Sequence, residues 1–248
     1  FPLIKLGLAD FGIAGTDTGG KALFAGARFL LAGLVVLAVA KLCGRSFAVP
    51  RGKTRWQLVL FGLVNTALHY FFFYLGVSNS PGGRASILDS LGTFLLILAA
   101  AVVFREKLTL RSIFGCLLGF SGIVLINLGS TAGQFTLSGD GMLLCSSVCA
   151  MAGGLLTRVV TRKMDPLVAT GHSLALGGAL LIPAGLLMGA HPVGVHLKGL
   201  LILAALVAVS AVGFSFYNQL LRYHPVGQIA IYNAFIPVLG VVLSCLLL

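Results

Sequence analysis

Charge is scarce in this chain. Of its 248 residues only 9% are Asp, Glu, Lys or Arg, and only six of those are acidic. A soluble domain carries about 25% charged residues. A large soluble protein could bury several apolar strands, but it would still need charged helix faces, and none is present. Long polar linkers are lacking too. The longest polar stretch, 129–140, reads as a loop, which leaves no room for a soluble domain.

Other absences narrow the chemistry. No Gly-x-x-x-x-Gly-Lys-Ser/Thr loop occurs, so nucleotide hydrolysis is not expected, and no His-Glu-x-x-His occurs either. With a single carboxylate well inside an apolar segment, the paired acids of a membrane-embedded enzyme are missing. The five cysteines (43, 116, 145, 149 and 245) lie in or beside apolar segments, where they read as small hydrophobes. Cys145 and Cys149 share a helix face, but no histidine or second cysteine pair completes a tetrahedral set. No catalytic residue, metal site or cofactor is expected.

What is abundant is apolar sequence. Hydrophobic residues make up 58% of the chain and the mean hydropathy is +1.05. Spans of about 20 apolar residues, the length that crosses a bilayer, recur near 22–42, 56–76, 83–104, 110–128, 140–160, 167–188, 198–220 and 226–247. Residues 1–12 read as the tail of an earlier span. The expected fold class is an all-α polytopic membrane protein embedded in the lipid bilayer.

The net charge of +11 suggests nucleic acid until its placement is read. Lys41, Arg45, Arg51, Lys53 and Arg55 share one loop; Arg105, Lys107 and Arg111 lie two loops later. Arg158, Arg162 and Lys163 follow after two more, then Arg222. These alternate loops hold 12 of the 17 basic residues, the positive-inside pattern of a multi-pass protein of a bacterial inner or plasma membrane. No nucleic-acid partner is expected, and both termini of the complete protein are expected in the cytoplasm.

The chain also repeats itself. Displaced by 144 residues, the segment 71–96 overlies 215–240 without a gap: Phe72 falls on Phe216, Pro81 on Pro225, Gly83 on Gly227, Ile87 on Ile231 and Asp89 on Asn233. Upstream, Arg28 falls on His172 and Gly33 on Gly177. Each half holds an odd number of spans, so the second enters the membrane upside down. Such inverted repeats build transporters with the solute site near the midplane between halves. The halves are expected at 1–128 and 138–248, the first opening on a partial helix and the second lacking its last.

The stretch ALFAGARFLLAGLVVLAVAKL, followed by SILDSLGTFLLILAAAVVFREKLTLRSIFGCLLGFSGIVLINLG, resembles the first half of the EamA branch of the drug/metabolite transporter superfamily. GDGMLLCSSVCAMAGGLLTRVV through YHPVGQIAIYNAFIPVLGVVLSCLLL resembles the same unit again. The resemblance implies ten helices around a central cavity and export of a small organic solute. The helix-breaking proline of the family stands as Pro237 in the second half but as Thr93 in the first, so the kinks should differ.

Candidate binding residues follow from polar groups on apolar helices. Ser86, Asp89, Ser90 and Thr93 are spaced i, i+3, i+4, i+7, one polar stripe. They read as a cavity wall with Asp89 as a proton or cation site, or as an interhelical hydrogen bond. The repeat mates Tyr232 and Asn233 should approach the centre from the other leaflet. Asn65 and His69, at i, i+4, form an aromatic-polar face with Phe72, or else His69 is a neutral imidazole satisfied by a neighbouring helix. Ser210, Phe214, Tyr217 and Asn218 make a similar stripe, with aromatic packing as the alternative. Arg28 either pairs with Asp89 or snorkels to lipid phosphates, Arg84 should be interfacial, and Glu106 should be an ion pair and helix cap. Gly115 and Gly119 mark a close helix contact, internal or within a homodimer. The function classes left standing are a secondary transporter, proton-coupled or not, and a scaffold or sensor that kept the fold without transport.

Overall fold

The computed structural model describes residues 2–49, 52–106, 110–127, 134–191 and 196–233. These form ten α-helices: α1 (Pro2–Asp10), α2 (Thr18–Leu42), α3 (Lys53–Gly62), α4 (His69–Asn79), α5 (Gly82–Phe104), α6 (Leu110–Asn127), α7 (Met142–Thr161), α8 (Pro166–Leu187), α9 (Leu197–Tyr223) and α10 (Val226–Asn233). A π-helical turn, Leu63–Leu68, fuses α3 and α4 into one membrane-length helix, Lys53–Asn79. A second, Leu137–Gly141, leads into α7. Among the described residues, six helices are long and apolar enough to cross a membrane. They follow the spans expected from hydropathy; Pro237 and the rest of the last span lie outside the described residues.

Local chemistry sets the helix ends. Asp17 caps α2, its Oδ1 accepting from Gly20 N at 2.7 Å, and Asp165 caps α8, accepting from Leu167 N at 2.9 Å ahead of Pro166. After α2 the chain turns back at Gly44, whose φ of 64° suits a residue without Cβ.

The repeat is visible as architecture. Lys53–Asn79 and Leu197–Tyr223 are both 27 residues long, and their ends are related by the displacement seen in the sequence. The equivalent helices α2 and α8 pack directly on one another. Gly19 sits against Gly185, Gly26 against Gly178 and Gly33 against Gly171, so one helix ascends as the other descends. A Cβ on Gly178 would lie 2.7 Å from Gly26 O, and one on Gly33 2.7 Å from Gly171 O. Only glycine allows backbones this close, the usual device of helix contacts in lipid. The two halves are thus inverted relative to one another.

The outer surface is apolar, and many hydroxyls are buried beside the apolar core. Thr66, Ser146, Ser147, Thr161, Thr170 and Ser173 are buried, whereas Leu34, Val102, Leu118 and Leu187 are exposed. A soluble protein has the opposite arrangement. Many buried hydroxyls donate within their own helix, as Thr157 does to Gly153 O (2.9 Å) and Thr170 to Pro166 O (2.7 Å), which satisfies those donors where water is absent. The main apolar core joins Phe29, Val36, Tyr74, Leu174, Leu181 and Val207 from α2, α4, α8 and α9.

Candidate solute-binding layer

Helix α7 of the second half lies between α4 and α5 of the first. Gly153 lets it approach the π turn, where a Cβ would come within 2.9 Å of Asn65 Cα, and Gly92 lets α5 approach the other side, with Ser147 O and Ala150 Cβ each 3.2 Å away. The extra residue per turn in Leu63–Leu68 re-aims the side chains that follow it. Such turns occur often at functional sites.

At mid-height these helices bring together groups far apart in sequence. His69 Nδ1 lies 3.1 Å from Ser146 O and 3.2 Å from Ser146 Oγ, and that hydroxyl also lies 3.2 Å from His69 O. Ser147 Oγ donates to Leu88 O at 2.6 Å, which fixes α5 at the turn bearing Asp89. The Asp89 carboxyl is largely buried and within electrostatic reach of the His69 ring, while the Tyr70 hydroxyl is within reach of both Asp89 and Arg28. Arg28 is only 5% exposed; its guanidinium lies 4.3 Å from the Phe29 ring centroid, and its buried Nε has no hydrogen-bond partner. Tyr74, also buried, feels the same charge. One layer therefore holds a buried carboxylate, an imidazole, two tyrosines and a buried arginine.

Not every candidate joins this layer. Asn65 and His69 meet α7 at Gly153 and Ser146, and Asp89 lies within electrostatic reach of His69. Ser90 Oγ donates to Ile87 O of its own helix at 2.7 Å, Thr93 is half-buried, and Ser86 is exposed. Asn218 is buried elsewhere, its amide donating to Thr170 Oγ1 at 2.9 Å and tying α9 to α8. Tyr232 is 69% exposed, and the Asn233 side chain lies outside the described residues. Arg28 differs from both sequence readings: it neither reaches solvent nor forms an ion pair with Asp89, because the α4 tyrosines and Phe29 enclose it. The sequence signal for it, a charge ten residues into an apolar helix, was present but pointed equally to lipid.

Two ion pairs hold α5 to α7, one at each end. Arg84 Nη1 lies 2.8 Å from Asp140 Oδ2, and Asp140 is 0% exposed; Ser80 Oγ (2.7 Å) and Thr136 N (2.9 Å) also donate to that carboxylate. Asp89 is thus not the only buried acid, as the sequence suggested: Asp140 sits at the mouth of its span and needs Arg84, 56 residues away, to be recognised. At the other end Glu106 pairs with Arg158 of α7, and its Oε1 accepts from Val226 N at 3.1 Å, capping α10. The expected ion pair and cap are both there, with partners from the other half.

An all-α membrane protein of two inverted halves, with a buried polar layer between them, has the build of a transporter. The EamA-like transporter family model matches the chain twice, over residues 16–128 and 137–248, and the chain belongs to that family. It is 30% identical over 162 residues to a chloroplastic WAT1-related protein of Arabidopsis thaliana, covering 62% of this chain and 38% of that one. It is 24% identical over 231 residues to the transporter YvbV of Bacillus subtilis, covering 91% and 74%. A probable terminal-alkyne amino-acid exporter of Streptantibioticus cattleyicolor is 24% identical over 183 residues, covering 74% and 58%. Against its first three curated relatives the chain spans 38%, 54% and 43% of their lengths. A solved crystal structure superimposes with a TM-score of 0.78 at 19% identity, covering 97% of this chain and 85% of that one, which speaks for the fold.

Proposed function

We propose that this chain forms the core of a secondary transporter that exports a small organic solute across the cell membrane by alternating access, without altering the solute chemically. The halves, 1–128 and 138–248, move against one another, with basic loops and both termini of the full protein in the cytoplasm. The observation that carries this reading is the layer that gathers the buried Arg28 and Ser146 with the half-buried His69, Tyr70 and Asp89 at the contact between the halves. Burying an unpaired charge in apolar surroundings is costly, so the layer is best explained by a ligand that completes it. Asp89 takes a proton or a cationic group and Arg28 takes an anionic one. The similarity to a relative named as an amino-acid exporter fits, since an amino acid carries one charge of each sign.

The test is to express the gene in cells and compare solutes released to the medium with those released by Asp89→Asn at matched membrane abundance. A solute released by the wild type and at least tenfold reduced in the variant supports the reading. Equal release from both would make Asp89 structural. Release from neither would favour a scaffold or sensor that kept the fold.

A further inference from the structure

A second site lies away from the layer, at the end of the molecule where α2, α7 and α9 terminate. Arg45 follows α2, Arg162 and Lys163 form the α7–α8 turn, and Arg222 stands in the last turn of α9. Together with Asp165 they line a cleft of about 480 Å³. It is continuous through Arg45, Asp165 and Arg222 with a recess of about 230 Å³ that also takes in Gln219 and Tyr223.

Four cations here face one carboxylate, and that carboxylate is already engaged. Asp165 Oδ1 accepts from Leu167 N and Val168 N, and its Oδ2 lies 3.8 Å from Arg45 Nη1. Lys163 Nζ donates to Gln57 Oε1 at 2.8 Å, which holds it at the rim. The C-termini of α2, α7 and α9 add roughly half a negative charge each, and the α8 N-terminus returns about half a positive one. These ends and Asp165 offset about two of the four cations. The remainder suits an anion of charge one or two.

The position of the cleft selects the source of that anion. Its residues lie at or just beyond the ends of apolar spans that finish at Leu42, Thr161 and Tyr223, the depth of lipid headgroups. Phe216, Leu220 and Tyr223 lie at i, i+4 and i+7 on α9 and are exposed, Phe216 by 68% and Tyr223 by 67%. This apolar stripe runs up to the recess that Tyr223 lines. Aromatic side chains at such a boundary, with basic residues beyond them, match the headgroup level of a bilayer.

We propose that this cleft binds the phosphate of an anionic phospholipid, held by Arg45, Arg222 and the Arg162–Lys163 turn, with the acyl chains along Phe216 and Leu220. The bound lipid joins the α2 end of the first half to the α7–α8 turn and α9 of the second.

The experiment uses the purified full chain in nanodiscs of phosphatidylglycerol, or of phosphatidylcholine alone, with bound lipid counted by native mass spectrometry after release. Selective retention of phosphatidylglycerol is expected. The double variant Arg45→Ala/Arg222→Ala should bind it about thirtyfold more weakly, from roughly 1 kcal/mol per basic residue near the membrane surface. Lys198→Ala at the opposite end should bind it normally, and Arg45→Lys/Arg222→Lys, which keeps the charge should the alanine variant misfold, should retain most of it. Equal retention of both lipids, or unchanged binding by a folded alanine variant, overturns the proposal. Displacement of the lipid by millimolar inorganic phosphate also overturns it, assigning the cleft to a free anion.

Discussion

The α2–α8 seam and the layer around Asp89 solve opposite problems with the same membrane helices. Along the seam, glycine meets glycine and backbones touch, with only apolar side chains such as Leu37 and Ile182 packed against the contact. In the layer, side chains of both charge signs are enclosed, and one donor, Arg28 Nε, is left without a partner. A contact with nothing unsatisfied gains nothing from a ligand, whereas a layer with an orphaned donor and a buried carboxylate does. The comparison separates what holds the halves together from what gives them something to carry.

The largest effect should come from the seam. Gly178→Leu would drive a side chain into the Gly26 carbonyl from 2.7 Å, and with no flexible neighbour to yield, folded protein should be lost from size-exclusion profiles. Next is Asp140→Ala, which removes the buried carboxylate that Arg84, Ser80 and Thr136 N share; by the usual cost of breaking a buried ion pair, about 3–5 kcal/mol of stability should go, read as a large fall in thermal midpoint. Asp89→Asn should invert that pattern, with transport reduced tenfold or more and the midpoint nearly unchanged, because the amide keeps the packing and drops the charge. Stability loss as large as for Asp140→Ala would move Asp89 to the structural side of the comparison. The smallest effect should be Ser90→Ala: its hydroxyl only donates to Ile87 O of its own helix, so stability should change by less than about 0.5 kcal/mol and transport not at all.

Much of this was legible in the sequence because a bilayer imposes simple rules. A span must be about 20 apolar residues, so the helix starts could be read from hydropathy alone, and the ungapped match of 71–96 to 215–240 anticipated two inverted halves. Where a residue's role depends on a partner from another helix, the sequence was silent. Asn218 looked like part of a cavity stripe, yet its amide meets Thr170, 48 residues earlier. Asp140 looked like a loop residue until Arg84, Ser80 and Thr136 converged on it. The π turn at Leu63–Leu68 had no signature either, since it arises from a hydrogen-bond slip that no glycine or proline marks.

That turn has a consequence for timing. Lys53–Asn79 and Leu197–Tyr223 are equal in length, but only the first contains a π segment among the described residues, so side chains beyond it are rotated relative to their counterparts on α9. Two interchangeable halves would make the two end states of a rocking cycle equal in energy, and an empty carrier would divide its time evenly between the two sides of the membrane. If the halves rock as proposed, one helix wound differently from its twin gives the empty carrier a preferred side of the membrane, while the gradients of the solute and of any coupling ion still set the direction of net flow.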